Sequence, residues 1–243
     1  MSGGRPGAVV PAGAICPAAA TVMRQAPVAA GMALGDVGVF HRFARLYDRA
    51  MYAADPETLA AGLDLAERPV ERLLDVGGGT GRASRALDVP RPVVVDAARG
   101  MLREARSHGL DTAQGDAARL PVADASVDAV LVVDALHHMA DVDGVIAAAY
   151  RALRPGGALV VREFDPTTLR GRGLVAAEHL VGFDSRFLAA DALADRVAGG
   201  GFRASVPDRG FGYTVAGVKP ATGCEDAGGT TDGAPEGTGS SNQ

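Results

Sequence analysis

The amino-acid sequence predicts an α/β protein, a doubly wound and mostly parallel sheet of seven strands with helices on both faces. Three observations carry this. Short apolar runs such as Val127–Val133 alternate with helical patterns, as parallel strands buried on both faces do. The glycine cluster 77–81 follows one such run and opens a helix. The last two strand-like runs, 202–206 and 211–215, are joined by Pro207-Asp208-Arg209-Gly210. That link is too short for a parallel crossover, so the closing pair is antiparallel.

The elements follow in order. Residues 39–53 place Phe40, Phe43, Ala44, Tyr47 and Met51 on one helical stripe. A short helix is expected over 56–66. Arg72–Val76 reads as the first strand and 82–87 as the helix after the glycines. Further strands are expected at 92–96, 112–115, Val127–Val133 and 158–162. Helices are expected at 100–107, 142–153, 174–181 and 189–198. Pro155-Gly156-Gly157 reads as a turn.

Composition narrows the function classes. The chain has 243 residues, enough for one sizeable domain, and a net charge of −5. Lys219 is the one lysine, and 21 of the 29 acidic residues are aspartate. Such a balance offers no broad basic field for nucleic acid. No apolar stretch is long enough to span a membrane. Cys16 and Cys224 stand alone, without zinc or disulfide spacing, which fits a reducing cytoplasm. Residues 1–35 are interrupted by Pro11, Pro17 and Pro27. They read as a disordered arm, or as sequence upstream of a true start at Met23 or Met32, in preference to a signal peptide. Residues 220–243 hold almost no large apolar side chain and read as a disordered acidic tail. The domain is thus expected over 36–219.

The densest chemical signal is Leu73-Leu74-Asp75-Val76-Gly77-Gly78-Gly79-Thr80-Gly81. Glycines there let the backbone take positive φ and come close to a ligand, and the helix start adds free N–H groups. The spacing departs from the dinucleotide fingerprint G-x-G-x-x-G, because Arg82 stands where it needs glycine and Ser84 where it needs glycine or alanine. Asp75 before the loop repels a pyrophosphate and attracts an ammonium. Asp96 ends the second strand, where a carboxylate can accept from a ribose diol; NAD enzymes share that feature.

These residues carry a resemblance. The chain resembles the class I S-adenosylmethionine-dependent methyltransferases, and within them the ubiquinone/menaquinone-biosynthesis type. Leu73 to Ser84 is similar to the family's first motif. Val93-Val94-Val95-Asp96-Ala97-Ala98-Arg99-Gly100-Met101-Leu102 is similar to its second strand and helix. Gly115-Asp116-Ala117-Ala118-Arg119-Leu120-Pro121, with Val127-Asp128-Ala129-Val130, is similar to the adenine-binding segment and fourth strand. Leu153-Arg154-Pro155-Gly156-Gly157 resembles the turn before the fifth strand, and Phe43-Ala44-Arg45-Leu46-Tyr47-Asp48 the N-terminal helix. The family often has an acid or a serine where this chain has Ala98.

The resemblance implies a Rossmann-like fold and S-adenosylmethionine as methyl donor. It implies that Gly77, Gly79 and Gly81 line the methionine and ribose part and that Asp75 holds the ammonium, directly or through water. Asp96, with Ala97 beside it, would bind the ribose hydroxyls, and Asp116 and Ala117 the adenine. Tyr47 would close over the methionine end, and Asp134, after the fourth strand, would complete the cofactor set. The acceptor is expected to be a small molecule, in the crevice beyond the strands' carboxyl ends. His137, in Asp134-Ala135-Leu136-His137-His138-Met139, is the candidate general base. No metal site is expected, since no third ligand has a fitting spacing. Glu163 and Asp165 read as loop carboxylates of the acceptor wall, with Glu178 and His179 on the next helix. Two alternatives stay open: an NAD(P)-dependent oxidoreductase, and a Rossmann-like module that binds the nucleoside without turnover. A nucleic-acid methyltransferase lacks support, because no Asn-Pro-Pro-Tyr type motif follows the fourth strand. The acceptor and the oligomeric state are not encoded in any motif.

Overall fold

The structure, a computed structural model, describes residues 55–180, 182–183 and 185–221. The helix expected at 39–53, Tyr47 on it and both terminal arms lie outside the described residues.

Helix α1 (Pro56–Leu63) begins where Asp55 accepts the Glu57 N–H and Pro56 occupies the first turn, both favourable at a helix start. Strand β1 (Arg72–Val76) leads through the glycine loop into α2 (Arg82–Ala86). Then come β2 (Arg91–Asp96), α3 (Arg99–Ser107), β3 (Asp111–Gln114) and β4 (Val127–Val133). A single 3₁₀ turn (Leu136–His138) precedes α4 (Val142–Ala152) and β5 (Leu153–Phe164). Helices α5 (Leu169–Leu180) and α6 (Ala190–Gly199) and strands β6 (Arg203–Asp208) and β7 (Gly212–Val218) complete the described chain.

The sheet order is β3-β2-β1-β4-β5-β7-β6. The pairs among β1 to β5 are parallel, while β7 runs antiparallel to both β5 and β6. The seven strands and the antiparallel closing pair therefore agree with expectation. The strand order reverses between β1 and β4, and that reversal opens a crevice at their carboxyl ends.

Side chains alternate between the two faces. Leu73, Ala129, Leu131 and Val160 point to the side where α1 supplies Leu59 and Leu63. Leu74, Val130, Val132, Leu159 and Val161 point to the other side, against Val145, Ile146 and Ala149 of α4 and Leu193 and Val197 of α6. Leu131 is fully buried, so its truncation to alanine costs about 2–5 kcal/mol. At Gly62 a side chain would press Val160 Cγ1 at 2.8 Å, so the glycine lets α1 lie close on the sheet.

Asp128 is one of the polar groups buried with this core. Asp128 on β4 is 1% exposed. It accepts the Arg72 N–H at 3.1 Å and the Arg154 Nη1 at 2.9 Å, with Arg68 Nε 2.8 Å away. Two guanidinium groups and backbone donors offset the cost of burying it.

Several boundaries differ from expectation, and three of them have a visible cause. Residues 155–157 lie within β5, because Gly156 donates to Lys219 O and Lys219 donates to Gly157 O. The irregularity appears instead as a register shift against β4 between Val127 and Ala129. Helix α5 starts at Leu169, ahead of the expected 174. Thr168 Oγ1 accepts the Gly171 N–H at 3.0 Å, and this cap outweighs the poor helix propensity of Gly171 and Gly173. Finally, Pro207 and Asp208, expected in a turn, belong to β6. That strand lies at the sheet edge, and its pairing with β7 slips between Ser205 and Asp208.

Candidate functional site

At the carboxyl end of β1 the chain turns sharply. Gly77, Gly79 and Gly81 have φ of 69°, 57° and 76°, the left-handed region that an L side chain avoids. Gly77 donates its N–H to Val95 O at 2.7 Å, fastening the loop to β2. Any side chain on Gly77 would reach Met139 Cε at 2.8 Å and Ala135 Cβ at 2.9 Å. The loop and the turn after β4 therefore pack against each other, and only bare backbone fits between them.

Asp96 closes this arrangement from β2. Its Oδ2 accepts the Gly79 N–H at 3.0 Å, and its Oδ1 accepts the Ala98 N–H at 2.7 Å. Each carboxylate oxygen has two lone pairs, so the carboxylate keeps acceptor capacity for a ligand hydroxyl. Burial pushes the Asp96 carboxyl above its usual range, and the N–H groups of Ala98, Gly79 and Ala97 pull it back. The Ala98 N–H needs only the Asp96 side chain, so the departure at Ala98 from the family's usual acid or serine leaves this carboxylate in place.

A cleft opens beside it, reached by Gly77, Asp96, Ala97, Asp116, Ala117 and Met139. Asp116 is shaped by its own turn, with Oδ1 accepting the Ala118 N–H at 3.0 Å. Five of the expected cofactor residues thus meet at one cleft. Gly79 and Gly81 shape the loop without facing that cleft, and Tyr47 falls outside the described residues.

Asp75 and Asp134 are placed differently from a simple ligand contact. Asp75 is fully buried beneath the loop. Its Oδ2 accepts the Ser84 hydroxyl at 2.7 Å, and its Oδ1 is buried with no hydrogen-bond partner. Burial raises its pKa to about 6, against the pull of Ser84. A side chain on Gly78 would collide with this carboxyl. Asp134 takes φ of 50° and pairs with Arg162 Nη1 at 2.5 Å. Its Oδ2 too is buried without a partner, and burial pushes its carboxyl up while Arg162 opposes.

Beyond β4, His137 is buried at 4% exposure. Glu163 grips it twice. Oε1 accepts the His137 backbone N–H at 3.2 Å, and Oε2 lies 2.8 Å from Nδ1. Burial presses the His137 pKa down, but Glu163, Glu178 and Asp134 together carry it above the usual value. Burial and the neighbouring His137 lower His138 to about 3. Glu163, expected as a loop carboxylate, is in fact inside β5 and 3% exposed. The strand runs longer than its apolar run, because Glu163 pairs with Tyr213 and Phe164 with Gly212 of β7. Glu178 of α5 also approaches, with Oε1 3.7 Å from His137 Nε2. The sequence places Glu178 on the helix of the acceptor wall, but its spacing gives no sign of the approach to His137, since it arrives from a separate helix. Ser84 and Met139 were equally unmarked; only the helix phase after the glycines hints at Ser84.

Comparisons with known proteins bear on the fold and on the chain's relatives. Residues 74–161 match the family described as "Methyltransferase domain". Over that segment the chain is similar to methyltransferase domains. The chain is 42% identical over 142 residues to malonyl-acyl-carrier-protein O-methyltransferase of Xylella fastidiosa (strain M23), covering 54% of this chain and 48% of that protein. It is 37% identical over 141 residues to demethylmenaquinone methyltransferase of Beutenbergia cavernae, covering 52% and 57% respectively. The chain thus spans about half the length of the curated relatives it matches. A solved structure from Thermotoga maritima, described as a methyltransferase and possible histamine N-methyltransferase, shares the fold. It aligns with a TM-score of 0.62 at 24% identity, over 75% of this chain and 98% of that one. Among the described residues, no helix is long and apolar enough to cross a membrane.

Proposed function

We propose that this chain transfers a methyl group from S-adenosylmethionine to a small-molecule acceptor. The observation that carries the reading is Asp96. It stands at the tip of β2, tied to the Gly79 N–H, on a cleft that Gly77, Asp116 and Ala117 also reach. The residues fit the cofactor: bare backbone at Gly77, a diol-accepting carboxylate at Asp96, and an acceptor at Asp116. Asp75 contributes from beneath the loop, where its unpartnered Oδ1 favours the amino-acid ammonium through the loop or a water.

When bound, S-adenosylmethionine supplies a methyl group already activated on a sulfonium. The protein then needs to align the acceptor and exclude water. His137 is the residue placed to accept a proton from an acidic acceptor. Glu163 orients its ring and holds Nδ1–H, which leaves Nε2 as the basic atom in the neutral ring.

Calorimetry with S-adenosylmethionine, S-adenosylhomocysteine and NADH tests the reading. The first two are expected to bind in the micromolar range and NADH not at all. Asp96→Ala is expected to weaken S-adenosylhomocysteine by roughly 1–3 kcal/mol, the size of lost hydrogen bonds to a charged group. Unchanged affinity in that variant would remove the ribose contact. NADH binding with no sulfur-nucleoside binding would favour the oxidoreductase reading.

A further inference from the structure

The polar cluster beyond β4 contains a gap of a particular size. His137 Nε2 and Glu178 Oε1 face each other at 3.7 Å, too far apart for a hydrogen bond. Glu178 Oε2 is buried with no hydrogen-bond partner. A buried carboxylate oxygen without a donor is costly unless something else satisfies it. The His137 ring has little freedom to close the gap. Glu163 holds its backbone N–H and Nδ1, Phe187 stacks on it at 4.2 Å, and His138 lies against it at 4.1 Å.

We propose that His137, His138 and Glu178 form a binding site for one divalent transition-metal ion of the zinc class. One donor atom from each of the three lies within 4.8 Å of the others. Two ligands about 2.0–2.1 Å from a shared ion stand roughly 3.3–3.8 Å apart at tetrahedral or slightly wider angles. The His137–Glu178 spacing already meets that range, and a small rotation of His138 or Glu178 gathers the third donor. Imidazole with carboxylate suits zinc, cobalt, nickel or iron, and it does not suit magnesium or calcium.

Glu163 completes the design. A histidine that ligates a metal through Nε2 commonly gives its Nδ1–H to a carboxylate, which fixes tautomer and orientation. The 2.8 Å contact from Glu163 Oε2 to His137 Nδ1 is that contact. Three protein donors leave a tetrahedral ion one open position, here on the acceptor side of the domain. An ion on His137 Nε2 takes the lone pair that the general-base role would use, so the two roles exclude each other; the competing arrangement is His137 between Glu163 and Glu178 with no ion.

The test uses the full chain without a histidine tag, stripped with a chelator and then dialysed. Zn²⁺ is added in a calorimeter, and Co²⁺ is followed by visible absorption. One ion per chain is expected, with the intense bands of low-coordinate Co²⁺. Glu178→Gln and His138→Asn should each weaken uptake at least tenfold. Glu163→Gln, acting one shell out, should weaken it by about ten- to a hundredfold. S-adenosylhomocysteine binding serves as the folding control in every variant. Normal nucleoside binding without saturable Zn²⁺ uptake would overturn the metal site and leave the methyltransferase reading standing. Equal uptake by the parent and by both ligand variants would overturn it as well.

Discussion

Asp75 couples the stability of the fold to its proposed use. Its carboxyl moves from 3.8 to about 6 because burial disfavours the charge, a change worth roughly 3 kcal/mol at about 1.4 kcal/mol per pH unit. The folded chain holds this proton more tightly than the unfolded chain. The stabilisation is therefore fully present below about pH 4 and is lost as pH rises through about 6. Replacing Asp75 with asparagine removes the charge and keeps an oxygen for the Ser84 hydroxyl. Any constant cost of the new amide drops out when two pH values are compared. Urea unfolding of the ligand-free chain should show the variant gaining on the parent by roughly 2 kcal/mol between about pH 4 and about pH 8. The same variant should bind S-adenosylhomocysteine at least tenfold more weakly at neutral pH, since it has no anion for the ammonium. A stability gap that stays constant with pH would refute the argument that Asp75 is buried as a charge.

Asp128→Ala should destabilise the chain by roughly 3 kcal/mol in the same unfolding assay, since Arg68, Arg154 and the Arg72 N–H lose their shared acceptor; a loss below about 1 kcal/mol would mean that solvent replaces it. Gly81→Ala should cost roughly 2 kcal/mol, from its φ of 76° and from the new methyl meeting Leu110. Adding Leu110→Ala should return only the steric share, and full recovery would show that the backbone conformation carries no penalty.

The fold was legible because the apolar runs are unusually clear. Val127–Val133 is so continuous that its bounds agree to the residue, and Arg72–Val76 likewise, closed by the glycines. Boundaries were lost where a side chain or a partner strand decides them. Thr168 starts α5 early, and β7 extends β5 past its apolar stretch to Phe164. The cleft residues were legible as a motif because Asp96 ends one strand and Asp116 lies just past the end of the next. Asp75 was expected to hold the ammonium, directly or through water; the turn at Gly78 covers its carboxyl, which spacing cannot reveal. The Glu163–His137–Glu178 array was hidden because its members come from β5, the turn after β4 and α5. Tertiary packing alone unites them.

The outer border of the sheet has a consequence for how these molecules behave in company. An unprotected border strand is a template on which another chain can dock and extend a fibril. Here β6 offers a poor template: Pro207 has no N–H to give, and the slip between Ser205 and Asp208 bends the strand out of line. At the opposite border β3 is only four residues long. Replacing Pro207 with a β-branched residue would restore one donor and straighten that rim, and clumping on gentle warming would be its first sign.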